Sequence, residues 1–196
     1  MVTKRYLILW PTKLLCRLFL RPFFKISIHG IENIPEKTGF ILSPKHQRWE
    51  DIPILSLVSS KPLYYIAKHE LFDNFLSSWF FRSLGGIPLN RTRPIESRNS
   101  LAKIIEILNQ GQGIVLFPEG TYYMNKIGPG KTGIIKMIQS RIHVPFIPVG
   151  INYAKVGFRN QVQINFGKPL YAEKEMTPSM FLHILMENIA ELSGLC

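Results

Sequence analysis

Cysteine is nearly absent from this chain: Cys16 and Cys196 are the only two among 196 residues. Two such distant thiols exclude a disulfide framework and the paired spacing of a zinc site, and a reducing compartment suits them best. Acidic residues are scarce as well. Against 24 Lys plus Arg stand 13 Asp plus Glu, which leaves a formal charge of +11. That surplus points to an anionic partner such as a membrane surface, a nucleic acid, or an acidic carrier or substrate. No nucleic-acid motif or basic-aromatic platform accompanies it, so nucleic acid is not expected. Also missing is any uninterrupted apolar run of the roughly 18 to 20 residues that a membrane span requires. Lys13 and Arg17 interrupt the apolar region near the start, and no small-residue cleavage site follows, which argues against a secretory signal. There is no G-x-S-x-G nucleophile elbow, and no repeat, low-complexity segment or long linker divides the chain.

What is present suits one folded domain, since 46% of the residues are hydrophobic. Residues 1–29 stand apart. Leu14, Leu15, Leu18, Phe19, Leu20, Phe23 and Phe24 surround a basic series at Lys13, Arg17, Arg21 and Lys25. A four-residue step drifts only about 40° around a helix, so the basic series forms one slanting stripe. With Trp10 beside it, this is the pattern of an amphipathic helix lying in the headgroup region of an anionic membrane, kinked or divided at Pro22. A helix packed on the domain with solvated lysines is the other reading. Residues 30–196 are then the remaining domain.

Along that domain, strand and helix patterns alternate. "GFILSP", "KPLYYIA", "GGIPLNR", "GIVLFP", "VPFIPVGIN" and "VQINFGKPL" read as strands. "DIPILSLV", "NSLAKIIEILNQ", "TGIIKMIQSR" and "TPSMFLHILMENIAEL" read as helices, the last with Thr177 as N-cap and Pro178 at the first helical position. Alternation of this kind predicts an α/β fold with a partly parallel central sheet flanked by helices.

Polar residues gather at two strand ends. In "SPKHQRWED" His46 and Asp51 lie five positions apart, roughly 140° around a helix, so they meet only if a turn brings them together. There the carboxylate would fix the imidazole tautomer and leave the second nitrogen as a general base. Alternatively Asp51 caps the following helix and His46 is an ordinary loop residue. In "GIVLFPEGTYY" Glu119, Gly120 and Thr121 follow a buried strand, where backbone N–H groups can face an anion or a developing oxyanion, or simply make a turn. Arg91 and Arg93 end a third strand, where a guanidinium can grip phosphate or merely be solvated.

Taken in order, "KHQRWED", "GGIPLNR", "FPEGT" and "VPFIPVGI" resemble the four blocks of the glycerolipid acyltransferases typified by 1-acylglycerol-3-phosphate acyltransferase. The likeness runs from about Gly39 to Ile151 and includes "YIAKHEL". It implies transfer of an acyl group from a coenzyme A or acyl carrier protein thioester to a lysophospholipid hydroxyl, giving phosphatidic acid. His46 would be the base, Asp51 its orienting partner, and no acyl-enzyme would form. Arg91 and Lys131 would face the acceptor phosphate, Glu119, Gly120 and Thr121 would shape the acceptor site, and Pro148 the acyl region. No metal or bound cofactor is expected. The enzyme would be monotopic, on the cytoplasmic face of an anionic membrane, with acyl carrier protein as a possible partner.

Three positions depart from the pattern. Lys45 stands where the family has a small polar residue, Asn90 where an acidic residue precedes Arg91, and Tyr122 where an arginine often follows Thr121. Phosphate recognition is what they touch, so a different lysolipid or glycolipid acceptor stays open, as does a non-catalytic basic membrane-binding protein. His69 and His143 match no block and are expected to be structural. Trp79, Phe80 and Phe81 read as core, as membrane-facing surface, or as the lining of an acyl groove.

Overall fold

The computed structural model describes residues 2–90, 97–173 and 175–195, with side chains from Ile8 onward. Helix α1 (Val2–Leu20) leads into strand β1 (Phe24–His29). There follow β2 (Phe40–Pro44), α2 (Asp51–Val58), β3 (Leu63–Lys68), α3 (Phe75–Ser83), β4 (Gly86–Leu89) and α4 (Ser97–Asn109). The chain closes with β5 (Gly113–Val115), α5 (Thr132–Gln139), β6 (Phe146–Val156), β7 (Arg159–Phe166) and α6 (Pro178–Leu192). The strands make one seven-stranded sheet in the order β1-β7-β6-β2-β5-β3-β4. Only β6 and β7 are antiparallel; every other pair is parallel. This is the expected partly parallel sheet flanked by helices.

Alternation along the strands supplies two cores. Ile41, Ile66, Ile114 and Phe146 point to the face covered by α4, α5 and α6. Phe40, Leu42, Val115 and Ile147 point to the other, covered by Ile54 and Leu55 of α2 and Leu20 of α1. Continuous apolar strands such as "FIL" are what a sheet buried on both faces requires. Local signals hold where they were strongest: Thr177 accepts from the Met180 N–H at 3.2 Å, capping α6 with Pro178 behind it.

The N-terminal segment differs from its expected form. The helix ends at Leu20, two residues before Pro22, and residues 24–29 are the parallel edge strand on β7. The basic series therefore does not make one helical stripe. Lys13 reaches inward to the Ser59 carbonyl at 3.2 Å, Arg17 is on the helix, Arg21 in the turn and Lys25 on β1. Backbone pairing along β1 outweighs the helical periodicity, because each strand residue gains a ladder partner that an isolated helical extension lacks. Trp10, Leu14, Leu15, Leu18 and Phe19 nonetheless stay exposed along α1. Among the described residues, no helix is long and apolar enough to cross a membrane.

Candidate active site

β2 and β5 are parallel neighbours, so the loops after both emerge at the same edge of the sheet. The order of chain entry makes this a switch point: β2 feeds α2 on one face, β5 feeds α5 on the other, and a crevice opens between them. Both polar clusters lie here. In the first loop the turn that His46 and Asp51 need is present. Asp51 Oδ2 lies 3.1 Å from His46 Nδ1 and accepts the N–H of Gln47 at 2.7 Å and of Arg48 at 2.8 Å. The fully buried Asp51 is the first residue of α2, yet the N–H groups that its carboxylate accepts belong to the loop before the helix, so it closes that turn and holds the histidine rather than capping α2. With Nδ1 facing Asp51, a proton carried on that atom would leave Nε2 as the basic nitrogen.

The remaining oxygen of Asp51 is also engaged. Tyr153, on β6, donates its hydroxyl to Oδ1 at 2.6 Å. Burial first, then the negative charge of Asp51, push the Tyr153 phenol far above its ordinary pKa, so it remains a donor. The Arg48 guanidinium covers its ring, 4.5 Å from the centroid. The imidazole of His46 stacks on Phe117 with centroids 3.7 Å apart and meets Tyr122 at 4.3 Å. Its ring plane is therefore fixed from three directions.

Beneath the histidine lies an ion pair. Lys45 is fully buried, and its Nζ donates to Glu119 Oε2 at 2.7 Å, to the Tyr123 carbonyl at 2.7 Å and to the His46 carbonyl at 3.1 Å. Glu119 is buried too, and its Oε1 accepts the Gly128 N–H at 2.9 Å. Tyr123 N–H donates to the His46 carbonyl at 2.9 Å, and Gln47 Oε1 accepts from Asn125 N–H at 2.9 Å. The two loops are therefore sewn together under the site. Gly128 has to be glycine, since a Cβ would sit 2.1 Å from the Tyr123 ring.

The other expected site residues fall in three groups. Gly120, at φ 71°, turns the chain where a side chain would be strained, and Thr121 beside it is exposed. Lys131 is exposed at the start of α5, its N–H bonded to the Pro118 carbonyl at 2.9 Å. Arg91 lies outside the described residues. Lys45, weighed from the sequence as an added cation for phosphate, is instead bound to Glu119 within the protein. His69 pairs with Asp73 at 3.4 Å and His143 stacks on Tyr171, so neither meets His46. Cys16 lies on α1, and burial pushes its thiol up, away from the thiolate form. Tyr153 and Gln47 carry no mark in the sequence. Alternation from Ile151 places Tyr153 on the α2 face, but its meeting with Asp51 follows from the pairing of β6 with β2.

The fold and the site together define an α/β protein with a histidine–carboxylate pair poised beyond its parallel strands. A family model described as acyltransferase matches residues 25–152. The chain belongs to the acyltransferase family. A 1-acyl-sn-glycerol-3-phosphate acyltransferase of Streptococcus pneumoniae (strain ATCC BAA-255 / R6) is 31% identical over 147 residues, covering 72% of this chain and 54% of that protein. The protein of the same name from Bacillus subtilis (strain 168) is 27% identical over 151 residues, covering 74% of each. The chain spans about half the length of the first curated relatives it matches. A crystal structure of the 1-acyl-sn-glycerophosphate (LPA) acyltransferase from Thermotoga maritima shares the fold, with a TM-score of 0.69 at 24% identity. That likeness covers 98% of this chain and 82% of the other.

Proposed function

We propose that this protein transfers a fatty acyl group from an acyl thioester to the free hydroxyl of 1-acylglycerol-3-phosphate, giving phosphatidic acid. The observation that carries the reading is the 3.1 Å contact between His46 Nδ1 and the buried Asp51 carboxylate. As the acceptor oxygen attacks the thioester carbonyl, its proton passes to His46 Nε2. Asp51 stabilises the imidazolium that results. The tetrahedral intermediate then collapses, the C–S bond breaks, and the leaving sulfur takes the proton back. No covalent bond to the enzyme forms, in keeping with the absence of a nucleophile elbow and with the placement of Cys16 on α1.

Arg91 and Lys131 bind the acceptor phosphate in this reading, while Gly120 and Thr121 border the acceptor. Glu119 acts from below, by holding Lys45 and the loop. The donor is acyl-coenzyme A or acyl carrier protein, whose acidity would suit the +11 charge. Residues 1–29 are the membrane-associating part, with β1 docked on the acyltransferase domain of residues 30–196. The enzyme is monotopic on the cytoplasmic face. A second reading, the same chemistry on another lysolipid, is favoured by two observations: Lys45 is bound to Glu119, and Tyr122 stands where an arginine often does.

Thiol release and lipid product should be measured in mixed micelles with lysophosphatidate and a long-chain acyl-coenzyme A, beside His46→Ala. Phosphatidate formed by the parent and lost in the folded variant supports reaction and base together. Activity only after changing the donor or the acceptor selects the alternatives, and silence across all of them sinks the acyltransferase reading.

A further inference from the structure

The β6–β7 hairpin ends in an apolar tip open to solvent. Phe158 is 83% exposed and Val156 is 59% exposed, either side of Gly157 with its φ of 62°. Lys155 and Arg159 flank the three residues, both exposed. The direction of the hairpin matters more than its composition. Val149 of β6 pairs with Pro44, the last residue of β2, and β6 continues in the same sense to Val156. At about 3.3 Å per residue, the tip reaches roughly 20 Å past the strand end that leads to His46, on the same edge of the sheet.

A second apolar group lies against it. Arg159 Nε donates to the Pro22 carbonyl at 2.9 Å, and the Asn160 N–H to the Phe23 carbonyl at 2.8 Å. Those bonds bring the turn after α1, with exposed Phe19 and Phe23, to the base of the hairpin. One exposed phenylalanine is ordinary on a protein surface. Two apolar groups joined by hydrogen bonds, ringed by Arg17, Arg21, Lys25, Lys155 and Arg159, match an anionic lipid surface: apolar bodies for the acyl boundary, cations for the phosphates.

We propose that the β6–β7 tip is a bilayer-inserting wedge, with Phe158 and Val156 entering the acyl boundary of an anionic membrane and Lys155 and Arg159 meeting its phosphates. Because the wedge stands on the edge that carries His46, its insertion turns the crevice toward the lipid. The anchoring role of α1 does not by itself set that orientation. This inference rests on the membrane reading given above.

The test is co-sedimentation of the full chain with phosphatidylglycerol–phosphatidylcholine vesicles, comparing the parent, Phe158→Asp and Phe158→Leu, with sedimentation velocity in their absence. Phe158→Asp should lower the partition coefficient about ten-fold or more, and Phe158→Leu about two-fold at most, with thermal unfolding unchanged. Acyl transfer on vesicles should fall with partition, while a short-chain acceptor below its micelle concentration keeps the parental rate. A parent that binds vesicles and a Phe158→Asp variant that binds equally well overturn the wedge alone. A parent that does not bind overturns the membrane reading with it. Loss of a dimer in Phe158→Asp with vesicle binding unchanged identifies the tip as a contact between copies, and also overturns the wedge.

Discussion

Beneath His46, Lys45, Asp51 and Glu119 are buried and paired; along α1 and α3, Trp10, Phe19, Phe75, Leu76 and Trp79 are exposed, Phe75 by 83%. One region keeps charge inside and the other keeps apolar area outside, the reverse of the usual distribution. Each is expensive on its own terms. A buried charge is tolerable only when its partners offset the lost hydration, and here Glu119 has both oxygens occupied while Lys45 has three acceptors. Exposed apolar helices have no such internal compensation, and in the proposed reading they face a lipid surface. In that reading polar burial builds the chemistry, and apolar exposure brings the substrate to it.

The sharpest way to break the comparison is to remove the base. His46→Ala should lower kcat by about 10²–10⁴-fold in micelles while the fold, read by circular dichroism, stays intact. Next comes the ion pair. Lys45→Met leaves the Glu119 carboxylate buried with only the backbone N–H groups of Gly128 and, at 3.4 Å, of His46, and should lose about 3–5 kcal/mol in urea unfolding. The double variant Lys45→Met with Glu119→Gln should recover part of that loss, since no charge remains to desolvate. If the double variant is as unstable as the sum, the pairing argument fails.

Smaller effects test the edges of the two regions. Tyr153→Phe removes one donor to Asp51, about 1–3 kcal/mol of stability with little change in KM. Its pH dependence has a definite sign. The folded phenol is pushed up, so the proton it holds stabilises the native state below the ordinary tyrosine value of about 10, and that stability falls as pH rises beyond it. Tyr153→Phe should flatten this alkaline decline in thermal melts. On the apolar side, Trp79→Ser should weaken vesicle binding several-fold at only a small cost in stability in water, because about half of the side chain is already exposed. Thr177→Ala, remote from both regions, should cost about 1 kcal/mol through its lost N-cap and leave kcat unchanged.

How far the sequence could be read depended on the range of the interaction. Thr177–Pro178, the "DIPILSLV" helix and the apolar strands are local patterns, and all appear where their periodicity placed them. Phe24 and Lys25 were read as helix because Lys25 continues a basic four-residue spacing, while the β7 partners of residues 24–29 lie more than 130 residues away. Lys45 was weighed as an added cation bearing on phosphate recognition, because a lysine carries no sign of burial. Only the neighbouring strand end, 74 positions on, shows that Glu119 waits for it.

The order of residues alone therefore settled which of the strongly patterned segments extend or coil, and that a histidine and an aspartate lie five positions apart at a strand-to-helix junction. Those outcomes rest on propensity, capping and periodicity, which act within a few residues. Folding in three dimensions decided that β5 inserts between β2 and β3, that Tyr153 completes the Asp51 carboxylate, and that Lys45 faces inward. Strand order and the pairing of buried charges depend on contacts between distant segments, and their free energy appears only when both partners leave water together.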